Sequence, residues 1–341
     1  MKRAIFAVTV GGTNVTSTFA SYLISINVSD AAGQTSDTAS IELDDTDGRL
    51  VMPQKGALVS IMLGWEGGGL AQVFYGTVDE VSASGSRGSG RTLSISATGM
   101  DTSGKAKEPQ RLHLDNTTIG EAMQKAGKVA GLTVTIDSEL ASIARDYISL
   151  DDESFTAFGE RIAHEVGGTF KIVGDRAVLA KRNGGTSASG SALSSVVAAW
   201  GINLHSYNIS PVLGRAYEKK TAVRYYDKKK AEWKVTEQDT GTDGAETKKT
   251  SINSAADEET AKAQAKSDAE ESDRKKGGGS VTIEGNPLAQ PEGMCGVIGC
   301  RPGVDGSYRI ESVGHRYSRG GGFVTQLQLK QPQGGAGRDS R

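Results

Sequence analysis

Proline is scarce in this chain, at 7 of 341 residues, and cysteine scarcer still, with only Cys295 and Cys300. So few cysteines exclude a disulfide framework, and a chain of this length needs none, because it can bury real cores in two or three domains. Acidic and basic residues nearly cancel to a formal net charge of -2, which removes the basic field expected of a protein living on nucleic acid. No stretch approaches the roughly 20 apolar residues that cross a bilayer. The start, MKRAIFAVTVGG, lacks the long apolar core and small-residue cleavage site of a secretory leader, which predicts a mature chain from its first residue. Sparse cysteine further predicts synthesis in a reducing cytoplasm. What abounds is glycine, 45 residues, together with serine and threonine, a composition that suits many strands joined by tight turns.

Residues 1–103 read as one β domain. Phe6, Val8 and Val10 alternate before the Gly11-Gly12 turn, YLISINV follows, and in TASIELDD the residues Ala39, Ile41 and Leu43 share one face. VSIMLGW, VFYGTVDEV and RTLSISATGM complete six short strands, the pattern of a small barrel or sandwich. SGSRGSG, from Ser84 to Gly90, has nothing with which to build a core and predicts a mobile hairpin tip.

The period changes in residues 104–183, which read as a small α/β domain. Ile119, Ala122, Met123, Ala126 and Val129 recur at three and four, with Thr117 or Thr118 able to cap the first turn; with Thr118 as the cap, Glu121 completes a capping box. Phe155, Phe158, Ile162 and Val166 form a second stripe ended by Gly167-Gly168, and TFKIV and AVLAK make a hairpin over Gly174-Asp175. NGGTSASGSALSS, from Asn183, reads as a linker.

Residues 184–332 are β again, with an insertion at about 236–279. A lysine-rich hairpin around Asp227 is followed by an aperiodic stretch and then by a helix in which Ala261, Ala265 and Ala269 recur every four residues. That stripe reads either as a solvent-exposed connection or as a docking helix for a neighbouring subunit, since alanine permits close approach at little side-chain entropy. Residues 333–341 predict a flexible tail.

Chemistry is thin. HEVGG at His164 opens like a zinc-protease motif, but Gly168 stands where the second ligand belongs, so His164 reads as an edge or surface histidine. Asp44, Asp45 and Asp47 resemble part of a calcium loop and fit a turn better. Cys295 and Cys300 are spaced for neither a redox pair nor a zinc knuckle; free thiols, a disulfide and a metal all stay open. Asp151, Asp152 and Glu153 read as helix-start charges, and Lys228, Lys229 and Lys230 as an exposed tip without a nucleic-acid site.

The ordered set of FYGTVDEV, TTIGEAMQKAGKVAGL, ESFTAFGERIAHEVGGTFKI, the Tyr225-Tyr226 pair, the alanine helix and the closing block from Glu284 to Leu329 resembles the phage late control protein D family. Those proteins are the tail hub of contractile phages, similar in plan to the hub portion of type VI secretion spike proteins. His315, Gly322 and Thr325 fall at matching places, and with Tyr225 and Tyr226 are the candidate structural positions.

The resemblance implies a mainly β fold with α/β insertions. It has two small β-barrel hub domains, at residues 1–103 and 184–332, plus a small α/β domain and an inserted helix. It implies a homotrimer, a pseudo-sixfold ring adapting a hexameric tail tube protein to a trimeric central spike protein, with contacts to other baseplate proteins. A lumen would pass DNA without specific binding. The setting would be the baseplate of a virion tail or a phage-tail-like particle, built in a bacterial cytoplasm, with no catalysis, cofactor, metal or membrane anchor. This chain shows no needle-like β-helix after its hub domains, so a separate spike is expected. A peripheral β-rich receptor-binding module and a wall-degrading enzyme are the competing readings.

Overall fold

Alternation becomes strand throughout the first region, with one helix added. β1 (Ala4–Val10) and β2 (Thr13–Asn14) flank the Gly11-Gly12 turn, and α1 (Thr16–Tyr22) follows. β3 (Leu23–Ala31), β4 (Thr38–Asp44), β5 (Leu58–Trp65), β6 (Gly69–Ser86) and β7 (Gly90–Thr98) complete the region. In β4 the residues Ala39, Ile41 and Leu43 are buried and Glu42 is exposed, as the period of two requires. The computed structural model describes residues 2–33, 36–88, 90–101, 104–182, 184–212, 218–227, 230–241, 246–252, 254–339 and 341. Over its described residues the 84–90 segment is the end of the β6–β7 hairpin: the ladder runs on to Ser86 opposite Gly90, and the Ser84 and Thr92 hydroxyls lie 2.8 Å apart.

The α/β unit contains β8 (Pro109–Thr118), α2 (Ile119–Val129), β9 (Thr133–Ile136), α3 (Ser138–Ala141), β10 (Ala144–Ser154), α4 (Phe155–Val166), β11 (Gly168–Val173) and β12 (Arg176–Lys181). Thr118 Oγ1 accepts the Glu121 N–H at 3.2 Å, but the Glu121 carboxylate accepts from Thr117 Oγ1 at 3.0 Å, so only half of the capping box forms. Ser154 caps α4 by accepting the Ala157 N–H, and Gly167, at a φ of 67°, ends that helix. Gly159 lets α4 lie on the sheet, for a Cβ there would come within 2.4 Å of the Phe170 ring. Met123, Phe155, Phe158 and Ile172 fill the core below.

The remaining strands are β13 (Val196–Ala199), β14 (Leu204–Ser210), β15 (Glu218–Asp227), β16 (Glu232–Asp239), β17 (Thr247–Thr250), β18 (Gly278–Glu284), β19 (Met294–Ile298), β20 (Gly306–Ser318) and β21 (Gly322–Gln333), with α5 (Glu258–Arg274) before β18. β14 pairs antiparallel with β18, so the chain leaves and re-enters the sheet at adjacent strands. Between them β15 pairs with β16 and β17, and α5 lies on this small sheet.

The expected pair of closed barrels is not what forms. Among the described residues no sheet closes; one open sheet runs β14-β18-β21-β20-β3-β4-β7-β6-β5-β1-β2, with β19 attached to β20 and β13 to β19. The reason lies in hydrogen-bonding edges. Closing the first region needs β3 to meet β1 or β2, but the second edge of β3 is taken by β20, with Val28 opposite His315 and Ile26 opposite Tyr317. The second region runs on from β20 through β19 to β13, and β13 meets β14 only through the isolated Trp200–Leu204 bridge. Mainly β architecture with α/β insertions stands; barrel closure does not. The two halves keep separate aliphatic cores, one around Ile26, Ile41, Leu63 and Ile95, the other around Val281, Ile283, Tyr308 and Leu327.

At the outer strand β13, Asn203 Oδ1 accepts the Ala199 N–H at 2.8 Å while its Nδ2 donates to the Val197 carbonyl at 2.7 Å. The tail folds back, with the Gly337 N–H donating to the Gly303 carbonyl at 2.8 Å. Among the described residues no helix is long and apolar enough to cross a membrane.

Candidate functional site

The closing block converges on the seam between the two halves of the sheet. Strand alternation turns His315 inward from β20 and Thr325 inward from β21, and register sets them opposite each other. His315 Nδ1 and Thr325 Oγ1 lie 3.0 Å apart, and Thr325 Oγ1 accepts the Asn286 N–H at 2.9 Å. Burial pushes the His315 imidazole down to about 4, so it stands neutral at pH 7 as a packing and hydrogen-bonding group. Gly322, at a φ of 67°, turns the β20–β21 hairpin.

Aromatic residues cross the seam above this pair. Trp65 Nε1, on β5, donates to the Gly285 carbonyl at 2.7 Å, and its ring centroid lies 5.9 Å from that of Phe323. Phe323 also meets His315 at 5.8 Å, and Phe6 meets Tyr317 at 5.0 Å. Sequence reasoning found His315, Gly322 and Thr325 but missed Trp65, Phe6, Asn286 and Phe323. Trp65 and Phe6 meet partners more than two hundred positions away, Asn286 meets Thr325 across 39, and no local period marks such contacts.

Two charged knots brace the elements around the seam. Lys171 Nζ, on β11, lies 2.5 Å from Asp30 Oδ1 and 2.6 Å from Asp37 Oδ1, tying the α/β unit to the sheet. Burial, reinforced by the Asp30 charge, pushes the Asp37 carboxyl up to about 7. Below α5, Arg274 Nη2 reaches Glu292 Oε1 at 2.7 Å, while Arg309 Nη1 donates to the Glu292 carbonyl at 2.8 Å. Burial, followed by the charge of Arg274, works against Glu292 to hold Arg309 below its ordinary value.

The alanine stripe faces inward. Ala261, Ala265 and Ala269 are buried in this chain, the first two against Val223 and Tyr225 of β15, and Thr221 Oγ1 donates to the Ala265 carbonyl at 2.6 Å. Tyr225 is thus a core residue. Tyr226, one step along the strand, faces outward and meets Trp233 edge-on at 5.5 Å.

The residues weighed for chemistry scatter. His164 is exposed at the end of α4, with Nε2 3.9 Å from Asp268 Oδ1, and with Glu271 these are donors close enough to share a metal ion. Glu271 is held by Lys275 at 2.6 Å, and the charges of Lys249 and Arg182 also act on it, so a cation there meets competition. Asp44 Oδ1 accepts from the Thr46 N–H and hydroxyl, and Asp45 Oδ1 from the Leu50 N–H, as a turn requires. Cys295 and Cys300 are free thiols, the first buried and pushed up to about 12 by burial. Glu153 pairs with Arg161 at 2.7 Å and Asp152 with Arg111 at 2.7 Å, which separates them from any shared cleft. Lys228 and Lys229 lie outside the described residues, and Lys230 stands in a turn.

No family model matches the chain. Over 185 residues it is 32% identical to the probable baseplate hub protein of Escherichia phage 186, a match covering 54% of this chain and 47% of that protein. The probable baseplate hub protein of Escherichia phage P2 is 28% identical over 177 residues, covering 52% of this chain and 45% of that one. The matched stretch thus spans about half the length of these curated relatives. The crystal structure of the prophage MuSo2 43 kDa tail protein from Shewanella oneidensis has the same fold, with a TM-score of 0.73 at 16% identity over 96% of this chain and 98% of that one. The resemblance carried by the order of segments is therefore met by homology to phage baseplate hub proteins over about half of the chain.

Proposed function

We propose that this chain is a structural hub protein in the baseplate of a contractile phage tail or phage-tail-like particle, acting by assembly and making or breaking no bond. Three copies form a ring that adapts the hexameric tail tube to the trimeric central spike, with further baseplate proteins around it and a lumen through which DNA passes unread. The observation that carries the reading is the β3–β20 seam. It fuses two sheet regions with separate cores into one continuous plate, so three chains offer six such regions to the tube and three chains to the spike. Near-neutral net charge supports side-by-side packing of identical copies without strong repulsion.

Light scattering on the purified chain, alone and with the spike and tube proteins, tests this. A particle of three chain masses that grows by one spike trimer is expected. A monomer at micromolar concentration that stays alone in the presence of both partners overturns it.

A further inference from the structure

α5 crosses the end of α4 at close range, for a Cβ on Gly167, which ends α4, would lie 3.5 Å from that of Ser267. The last turn of α4 carries His164. Asp268 follows Ser267 on α5, and Glu271 stands one turn further along the same face. The ligand atoms of these three side chains all lie within 4.8 Å of one another. Asp268 is the member that calls for an explanation. Its side chain is only 7% exposed, yet its carboxylate accepts no hydrogen bond among the described residues, and His164 Nε2, 3.9 Å from Oδ1, stands too far off to donate one. Burial raises the Asp268 carboxyl above its ordinary value, against the charge of Lys249, which acts on it through space. A buried carboxylate with no donor in contact is costly to keep.

A coordinated ion spans what a hydrogen bond cannot. Bonds of about 2.0–2.2 Å from zinc to nitrogen and oxygen put two ligands of one ion up to roughly 4 Å apart, so the gap between His164 and Asp268 lies within its reach. One imidazole with two carboxylates suits a borderline transition-metal ion, whereas calcium and magnesium prefer shells of oxygen alone. His164 is 52% exposed, which opens the cluster to an entering ion and to water as a further ligand. The competitor is Lys275, 2.6 Å from Glu271 Oε1, but an exposed pair four residues apart on one helix is among the weakest of ion pairs. We propose that His164, Asp268 and Glu271 bind a divalent transition-metal ion of the zinc type, which joins α4 of the α/β unit to α5 of the inserted unit. The ligand that the zinc-protease-like start at His164 lacks in sequence is supplied in space by another helix.

Calorimetric titration of the chelator-stripped full chain with zinc chloride tests this, and saturation at one ion per chain is expected. His164→Ala and Asp268→Asn should each weaken binding by about tenfold or more, since losing even a group that supports a ligand costs that much. Lys275→Met removes the competitor and should tighten binding about twofold, the worth of such a pair. His113→Ala removes an exposed histidine that lies 3.5 Å from Asp151, and should change nothing. Circular dichroism verifies that each variant stays folded, and hydrogen exchange should slow in α4 and α5 together when zinc is added. Absence of saturable binding, unchanged affinity in His164→Ala or Asp268→Asn, weaker binding in Lys275→Met, loss of binding in His113→Ala, or protection gained by one helix alone would each overturn the proposal. The titration needs no trimer, tube or spike, so its failure is separate from failure of the hub reading.

Discussion

The seam and the inserted unit solve the same problem with opposite materials. At the seam, Phe323, Trp65, Ile26 and His315 bury large surfaces against one another, and polar groups are few and paired. Under α5, alanines and threonine meet the small sheet of β15 and β16, and the ties to the rest of the molecule include the Arg274–Glu292–Arg309 knot. Large apolar contacts supply stability and accept modest changes of shape. A thin alanine contact leaves position to be fixed by charge, whose strength depends on every partner being present.

Four experiments break or sharpen this contrast. Phe323→Ala should cost about 4 kcal/mol, within the range for truncating a buried aromatic, seen as a lowered global denaturation midpoint. Glu292→Gln leaves two buried guanidiniums with a weakened partner and should cost about 3 kcal/mol. Hydrogen exchange should localise that loss to α5 and β20, and exchange spread evenly over the sheet would contradict the assignment.

Titration separates the seam from the Lys171 knot. His315 has its folded value lowered from 6.5 to about 4, so its contribution is complete above pH 6.5 and is lost as pH falls toward 4. At most about 3 kcal/mol is at stake, taking 1.36 kcal/mol per unit. Asp37 has its folded value raised from 3.8 to about 7, so its contribution is present below about pH 4 and is lost as pH rises through 7. His315→Gln should therefore flatten the acid side of a plot of melting temperature against pH, and Asp37→Asn the neutral side. Ala265→Leu is the smallest expected effect, about 2 kcal/mol from overpacking, confined to loss of protection in α5 while the seam keeps its midpoint.

The same contrast explains what could be read beforehand. Ala39, Ile41 and Leu43 announce β4, and Thr118 and Gly167 bound their helices, because period, caps and left-handed turns are local properties. α1 passed unseen: seven residues with no acidic first turn and no side-chain cap, held by tertiary contact. Barrel closure was mistaken for a related reason, since whether β3 meets β1 or β20 is decided between strands almost three hundred residues apart. Of the seam, the histidine, glycine and threonine were legible through resemblance, whereas Trp65 donating to Gly285 lies in no motif. The alanine stripe and the hairpin that holds β15 were both visible, but not that the one covers the other.

Asn203 gives the sheet a grammar of endings. By occupying the outward N–H and carbonyl of β13 with one side-chain amide, it writes a full stop where another copy's strand would otherwise continue the line. Copies made together at high local concentration are thereby denied one route to an endless fibre, and their association at that margin must be decided by shape and charge.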